Sequence, residues 1–140
     1  FPSSDQMLAA TIQMVRDDQA ERLAALAPTG NPRGDIRQAW LQALPLDAPR
    51  RTEAHVWLAV TATARNTELR AILRGIEDGL QHLCRVTART FAPRADVARE
   101  ATLLRAFTDG LTLNAIADPE SFPPEYITIV LDTYLERLAA

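Results

Sequence analysis

No lysine occurs in the 140 residues; all fifteen basic side chains are arginine, against eighteen acidic ones, and the net charge is −3. The missing lysine reads as coding bias of a GC-rich genome rather than a design for phosphate recognition. A negative total lacks the positive field of a nucleic-acid binder, so any contact with DNA is expected from another segment. The single cysteine, Cys84, excludes an internal disulfide and suits a reducing cytoplasm. No apolar run approaches the roughly 18 residues of a membrane span, so no membrane partner is expected. Internal repeats, low-complexity tracts and a signal peptide are missing. So are a Gly-rich phosphate loop, a Gly-x-Ser-x-Gly elbow and any paired-cysteine motif.

What is present suffices for one folded domain over residues 1–140. The chain is 47% hydrophobic and 24% charged, and its length allows a real core. It opens on Phe1-Pro2-Ser3-Ser4 rather than an initiator methionine, the expectation being a segment cut from a longer polypeptide.

Apolar spacing predicts six helices and no strand. Ser3 or Ser4 can cap a helix to about Ala27, Ser3 to Gln6 having capping-box spacing, and Pro28-Thr29-Gly30-Asn31-Pro32 ends it. A short helix capped at Asp35 carries Ile36, Trp40, Leu41 and Leu44 on one face and stops at Pro45. Arg51 to Arg65 is nearly apolar in its middle, which predicts a central helix buried on more than one side. Asn66-Thr67 recaps the chain for a long helix up to Pro93; Asp96 caps one to about Ala117, and the last runs from about Pro124 to Leu138. Gly75, Gly79 and Gly110 fall inside helices, where glycine costs about 1 kcal/mol against alanine. Either another helix or a ligand comes close there, or the glycines are drift.

The last two helices are more apolar than one core requires. On 96–117 one stripe reads Val97, Ala101, Leu104, Leu111 and Ala115, and a second reads Leu103, Ala106, Phe107, Gly110, Leu113 and Ile116. Ile127, Val130, Leu131, Tyr134, Leu135 and Leu138 likewise cover more than one face of the final helix. A second copy of the chain is the simplest partner, giving a four-helix bundle across a two-fold axis; the alternative is that both stripes are buried within one monomer. The expected homodimer interface comprises Leu104, Gly110, Ile127, Val130, Leu131 and Tyr134.

Chemistry is harder to find. Glu53 and His55 are two apart and fall on different helix faces. Asp78 and His82, four apart, share a face, but a metal site needs three or four ligands and no further cluster supplies them, so a hydrogen bond is the reading and no metal is expected. Cys84, beside Leu80 and Leu83, reads as core. Neither a catalytic set nor a cofactor site emerges. Instead Trp40, His55, Trp57, Thr61, Gly79, His82, Phe107 and Asn114 interrupt the inner faces of the middle helices, as in ligand cavities with apolar walls and a few polar anchors. Trp57 is the member of that group most readily assigned to core.

Four segments resemble one family. Phe1-Pro2-Ser3-Ser4-Asp5-Gln6-Met7-Leu8 is similar to the Tyr-x-x-Phe-x-Ser-Lys-x-x-Leu junction of TetR-family repressors, with Ser4 where lysine is usual. Val56-Trp57-Leu58-Ala59 with Ala64 to Arg70 resembles the Trp-Leu-Ala-Phe and Asp-Pro-Glu-Leu-Arg pattern of the choline-regulator-like subgroup, Asn66-Thr67 replacing Asp-Pro. Leu104 to Leu111 resembles the family's Asp-Gly-Leu helix, and Leu131 to Leu135 its last helix.

The resemblance implies an all-α, six-helix bundle of the tetracycline-repressor C-terminal domain type, with the last two helices forming the dimer bundle. It also implies a cytoplasmic effector-sensing domain with a helix-turn-helix domain upstream, through which alone operator DNA would be bound. The pocket expected on that reading takes Trp40, His55, Leu58, Thr61, Phe107, Leu111 and Asn114. The subgroup suggests a small amine as effector, whereas the scarcity of inward acidic residues favours a neutral or weakly polar organic molecule. The competing reading is a helical dimerisation module with a solid core and no ligand.

Overall fold

Side-chain caps start five of the six helices described by a computed structural model over residues 3–140. These are α1 (Ser4–Ala24), α2 (Pro32–Ala43), α3 (Ala48–Thr63), α4 (Thr67–Phe91), α5 (Val97–Ala117) and α6 (Pro124–Ala139), with no strand among the described residues. Phe1 and Pro2, which open the N-terminal resemblance, lie outside them. Ser3 and Gln6 form the expected capping box: Ser3 Oγ accepts from the Gln6 amide at 3.1 Å, and Gln6 Oε1 accepts from the Ser3 amide at 2.7 Å. Asn66 and Asp96 cap α4 and α5 by accepting from the Leu69 and Arg99 amides, without the reciprocal bond.

Three local expectations need correction. First, α1 stops at Ala24 rather than Ala27, because Pro28 disfavours helical geometry just before it. Second, α2 is capped by Asn31, whose Oδ1 accepts from the Gly34 amide at 3.1 Å, and not by Asp35. Pro32 sits at the first helical position, where its fixed φ suits the helix. The Asp35 carboxylate instead accepts from the Thr29 hydroxyl at 2.6 Å. Third, α3 is not a central helix. Only Glu53 and Val60 are buried on it, and its apolar look comes from exposed alanines and from half-buried Val56, Trp57 and Leu58.

The long helix α4 is the axis of the molecule. At 1.5 Å per residue its 25 residues span about 37 Å, enough to pass through two separate hydrophobic clusters. The smaller cluster joins Ala9, Ile12 and Val15 of α1, Val60 of α3, and Leu69 and Leu73 of α4. The larger gathers α2, the second half of α4, α5 and α6 around Trp40, Cys84, Phe91, Leu104 and Leu131.

The double stripe on α5 and α6 divides between inside and outside. Leu104, Ile127 and Leu131, expected at a dimer interface, are 0%, 1% and 0% exposed within the chain's own core and have no surface to offer a partner. Their 3.6-residue repeat with Leu111 and Leu135 is the one that faces α4 and the rest of the larger cluster. Gly110, Val130 and Tyr134 are half-buried, and beside them Leu103 and Ile129 are 51% and 59% exposed. The second stripe is therefore largely an outer surface. Ile116 is its buried exception.

Candidate functional site

Between the two clusters lies a cavity of about 390 Å³. Five helices wall it and α6 contributes nothing. From α4 come Gly75, Ile76, Gly79, Leu80, Leu83 and Val86; α3 adds Glu53, Ala54 and Trp57. The α1 wall is Arg16, Gln19, Ala20, Arg22 and Leu23, a face set by three- and four-residue spacing. The end of α2 supplies Gln42 and Ala43, and α5 supplies only Asp109 and Thr112.

Charge in the walls is largely matched internally. Glu53, 8% exposed, takes a two-pronged contact from Arg22: Nη1 to Oε1 at 2.6 Å and Nη2 to Oε2 at 2.9 Å. This pair ties α1 to α3, and a longer bond from Arg22 Nη2 to the Gln42 carbonyl at 3.4 Å reaches the end of α2. Arg22 Nε and Glu53 Oε1 are both buried without a hydrogen-bond partner among the described residues. Arg50 donates to the Leu41 carbonyl and pairs with Asp47 at 2.8 Å. Asp109 pairs with Arg105 at 2.9 Å. Arg16 differs: it is exposed and makes no ion pair among the described residues, and its guanidinium lies across Gly75, where an added Cβ would collide with it.

None of the seven pocket residues expected from sequence lines this cavity. Trp40 is 1% exposed in the larger cluster, and its indole Nε1 donates to Thr87 Oγ1 at 2.9 Å. Leu111 is also buried there. Phe107 stacks on Tyr134 with ring centroids 4.3 Å apart, between α5 and α6. His55, Thr61 and Asn114 are exposed, and Leu58 is half-buried; the Asn114 amide donates to the Gly110 carbonyl at 2.8 Å. By contrast Trp57, Gly79 and His82, which belonged to the wider group of interrupting residues, do meet at the cavity.

The glycines separate in the same way. Gly75 is closely approached, as expected of one class of helical glycine, whereas a Cβ at Gly79 or Gly110 would meet nothing within 4 Å. The charged wall residues escaped sequence reasoning because an arginine on a helix ordinarily marks a solvated face. A glutamate inside the apolar stretch of α3 was the available signal, since a buried carboxylate needs a partner.

Cys84 is fully buried and its thiol is pushed up to about 11 by that burial, the behaviour of a core residue. His82 and Asp78 are both exposed. Among the described residues no group of three or more His, Cys, Asp or Glu is placed to hold a metal, and no helix is long and apolar enough to cross a membrane.

Residues 32–140, from the first residue of α2 to the end, match the C-terminal domain of BetI-type transcriptional repressors. The chain belongs to this family. The BetI-type domain is 28% identical over 143 residues to the HTH-type transcriptional regulator PksA of Bacillus subtilis (strain 168), covering 99% of the chain and 70% of that protein. It is also similar to the crystal structure of a transcriptional regulator from Rhodococcus sp. Rha1, with a TM-score of 0.80 and 30% identity over 99% of this chain and 74% of that one. The family assignment bears out the resemblance to TetR-type regulators and their choline-regulator-like subgroup, as the structural similarity bears out the all-α, six-helix fold. A BetI-type domain belongs to regulation of transcription and is not an enzyme.

Proposed function

We propose that this BetI-type domain senses a small organic effector in the cavity between its two clusters and dimerises through the outer stripe of α5 and α6. It would act in the cytoplasm as part of a bacterial repressor that reaches operator DNA through a helix-turn-helix segment joined to α1. The cavity carries this reading. A partly open pocket of about 390 Å³ with an apolar wall along α4 falls in the size range of ligand sites. That favours a sensor over a dimerisation module with a solid core.

The mechanism is the one that the resemblance to TetR-type repressors implies, and the place of α1 in the cavity wall supports it. α1 is held by three buried side chains and by the Arg22–Glu53 pair, and it flanks the cavity along its second half. A ligand that fits one position of α1 better than another shifts the population toward that position. Two recognition helices must span half-sites about one helical turn apart, so a small movement of α1 in each protomer alters DNA affinity. Effector and operator then oppose one another by linkage.

The test is thermal unfolding against a metabolite and drug-like library, for the natural chain and for Gly79→Leu, which fills open space at the cavity wall. A ligand at a hundred times its Kd stabilises by about 2.7 kcal/mol, roughly 5 to 10 °C for a domain of this size. We expect at least one compound to raise the Tm of the natural chain by that amount and to lose most of the effect in Gly79→Leu. No shift by any compound, or equal shifts in both proteins, overturns the sensor reading.

A further inference from the structure

Resting on that effector-cavity reading, we infer that the cavity selects an apolar carboxylate whose anionic head is received by Arg16. Five charged residues line it: Arg16, Arg22, Arg50, Glu53 and Asp109. Both carboxylates are already neutralised, Glu53 by Arg22 and Asp109 by Arg105, and Arg50 is neutralised by Asp47. A cationic ligand would meet three guanidinium groups and no carboxylate outside an ion pair, although Glu53 Oε1 lacks a hydrogen-bond partner among the described residues. Arg16 is the one lining charge without an ion pair among the described residues.

The shape of the cavity points the same way. Gly75, bare of a side chain, allows the Arg16 guanidinium to lie against α4 at one end of the lining. From there the apolar wall of Ile76, Leu80, Leu83 and Val86 runs away along α4, the interval from 75 to 86 being about 16 Å. Trp57 faces the same space from α3. A head at Arg16 with a body along α4 uses both features. A guanidinium and a carboxylate form the stronger, two-pronged kind of hydrogen bond, which neither an alcohol nor an amine can reproduce.

Three molecules of nearly equal shape test it: 4-phenylbutyrate, 4-phenylbutan-1-ol and 4-phenylbutylamine, titrated calorimetrically into the chain at about 0.15 M salt. The carboxylate is expected to bind about tenfold or more tightly than the alcohol, and the amine most weakly. Arg16→Gln should bring carboxylate and alcohol to within about twofold, while Arg16→Lys retains part of the difference. Gly75→Ala provides an independent variant that keeps the charge. Its Cβ displaces the guanidinium from α4, and it should weaken the carboxylate selectively while improving helix propensity.

Carboxylate and alcohol binding equally well, unaltered by Arg16→Gln but both abolished by Gly79→Leu, overturns the charge preference and leaves the cavity reading standing. The amine binding best also overturns it. If none of the three binds, this ligand class is wrong, and the library screen alone then decides whether the cavity is a sensor.

Discussion

Trp40 carries a polar handle into the middle of the larger cluster, and the handle is matched there. Its indole N–H donates to Thr87 Oγ1, which donates in turn to the Leu83 carbonyl at 2.7 Å, so a short chain of hydrogen bonds links α2 to α4. Replacing Trp40 by Phe removes both ring volume and the donor to a buried hydroxyl, and we expect a loss of about 1–3 kcal/mol in urea unfolding. In a double-mutant cycle with Thr87→Val the two changes should couple by about 1 kcal/mol. Additive effects would show that the hydrogen bond contributes nothing to stability. The spacing of Trp40 with Ile36 and Leu44 placed it correctly on an inner face. It could not reveal whether the space inside was filled by Thr87 or left open, which is why a pocket residue expected from sequence is core in the structure. Arg16 is the converse: it is exposed, as an arginine on the opening helix is expected to be, and what the sequence could not show is that its guanidinium lies over α4 where Gly75 has no side chain.

Helix ends were among the most legible elements, because a cap is a local event between a side chain and amides two or three residues away. Ser3, Asn66 and Asp96 begin their helices as spacing predicts. α3 was less legible. Its true start, Asp47 followed by Pro49 in the first turn, lies upstream of the apolar stretch, and exposed alanines imitate burial. Asp47 is both the cap, accepting from the Arg50 amide at 2.9 Å, and the partner of the Arg50 guanidinium. The Arg50 side chain, followed by the Arg50 amide and more distant charges, outweighs partial burial and lowers the Asp47 carboxyl from its ordinary 3.8. A carboxyl depressed in the folded state adds stability that is fully present above the unfolded value and is lost as pH falls through the folded one. The natural chain should therefore lose stability between about pH 4 and lower pH more steeply than Asp47→Asn, which keeps a capping oxygen but has no charge to titrate. Urea midpoints measured from pH 5 down to pH 3 check this, and identical slopes would remove Asp47 from the account. Its side chain is 46% exposed, so the difference will be modest.

Over the whole molecule, periodicity reported that α5 and α6 had two apolar sides, and the structure shows which side is which. Leu104, Ile127 and Leu131 belong to the chain's own core, while Leu103, Leu113, Tyr126 and Ile129 remain exposed along the outer surface with half-buried Phe107, Val130 and Tyr134 among them. Exposed apolar side chains on these two helices are what the proposed dimer surface would use. Light scattering at micromolar concentration should find the natural chain dimeric, and Leu103→Arg with Ile129→Arg should convert it to a folded monomer, since both side chains are more than half exposed. A monomeric natural chain at that concentration would end the dimer proposal. The division into two clusters, by contrast, was invisible in the sequence. Leu69 to Phe91 reads as one uninterrupted stripe, and only the packing of α1 and α3 on its first part and of α2, α5 and α6 on its second separates them.

That α6 takes no part in the cavity has a consequence for how such a domain can diverge. The walls draw on α1 to α4 and on Asp109 and Thr112 of α5, while the outer stripe uses α6 and other positions of α5. Residues facing the cavity can be exchanged without altering the surface stripe. On the proposed reading, new chemical tastes can be acquired on one side of the domain while the other keeps the same partner.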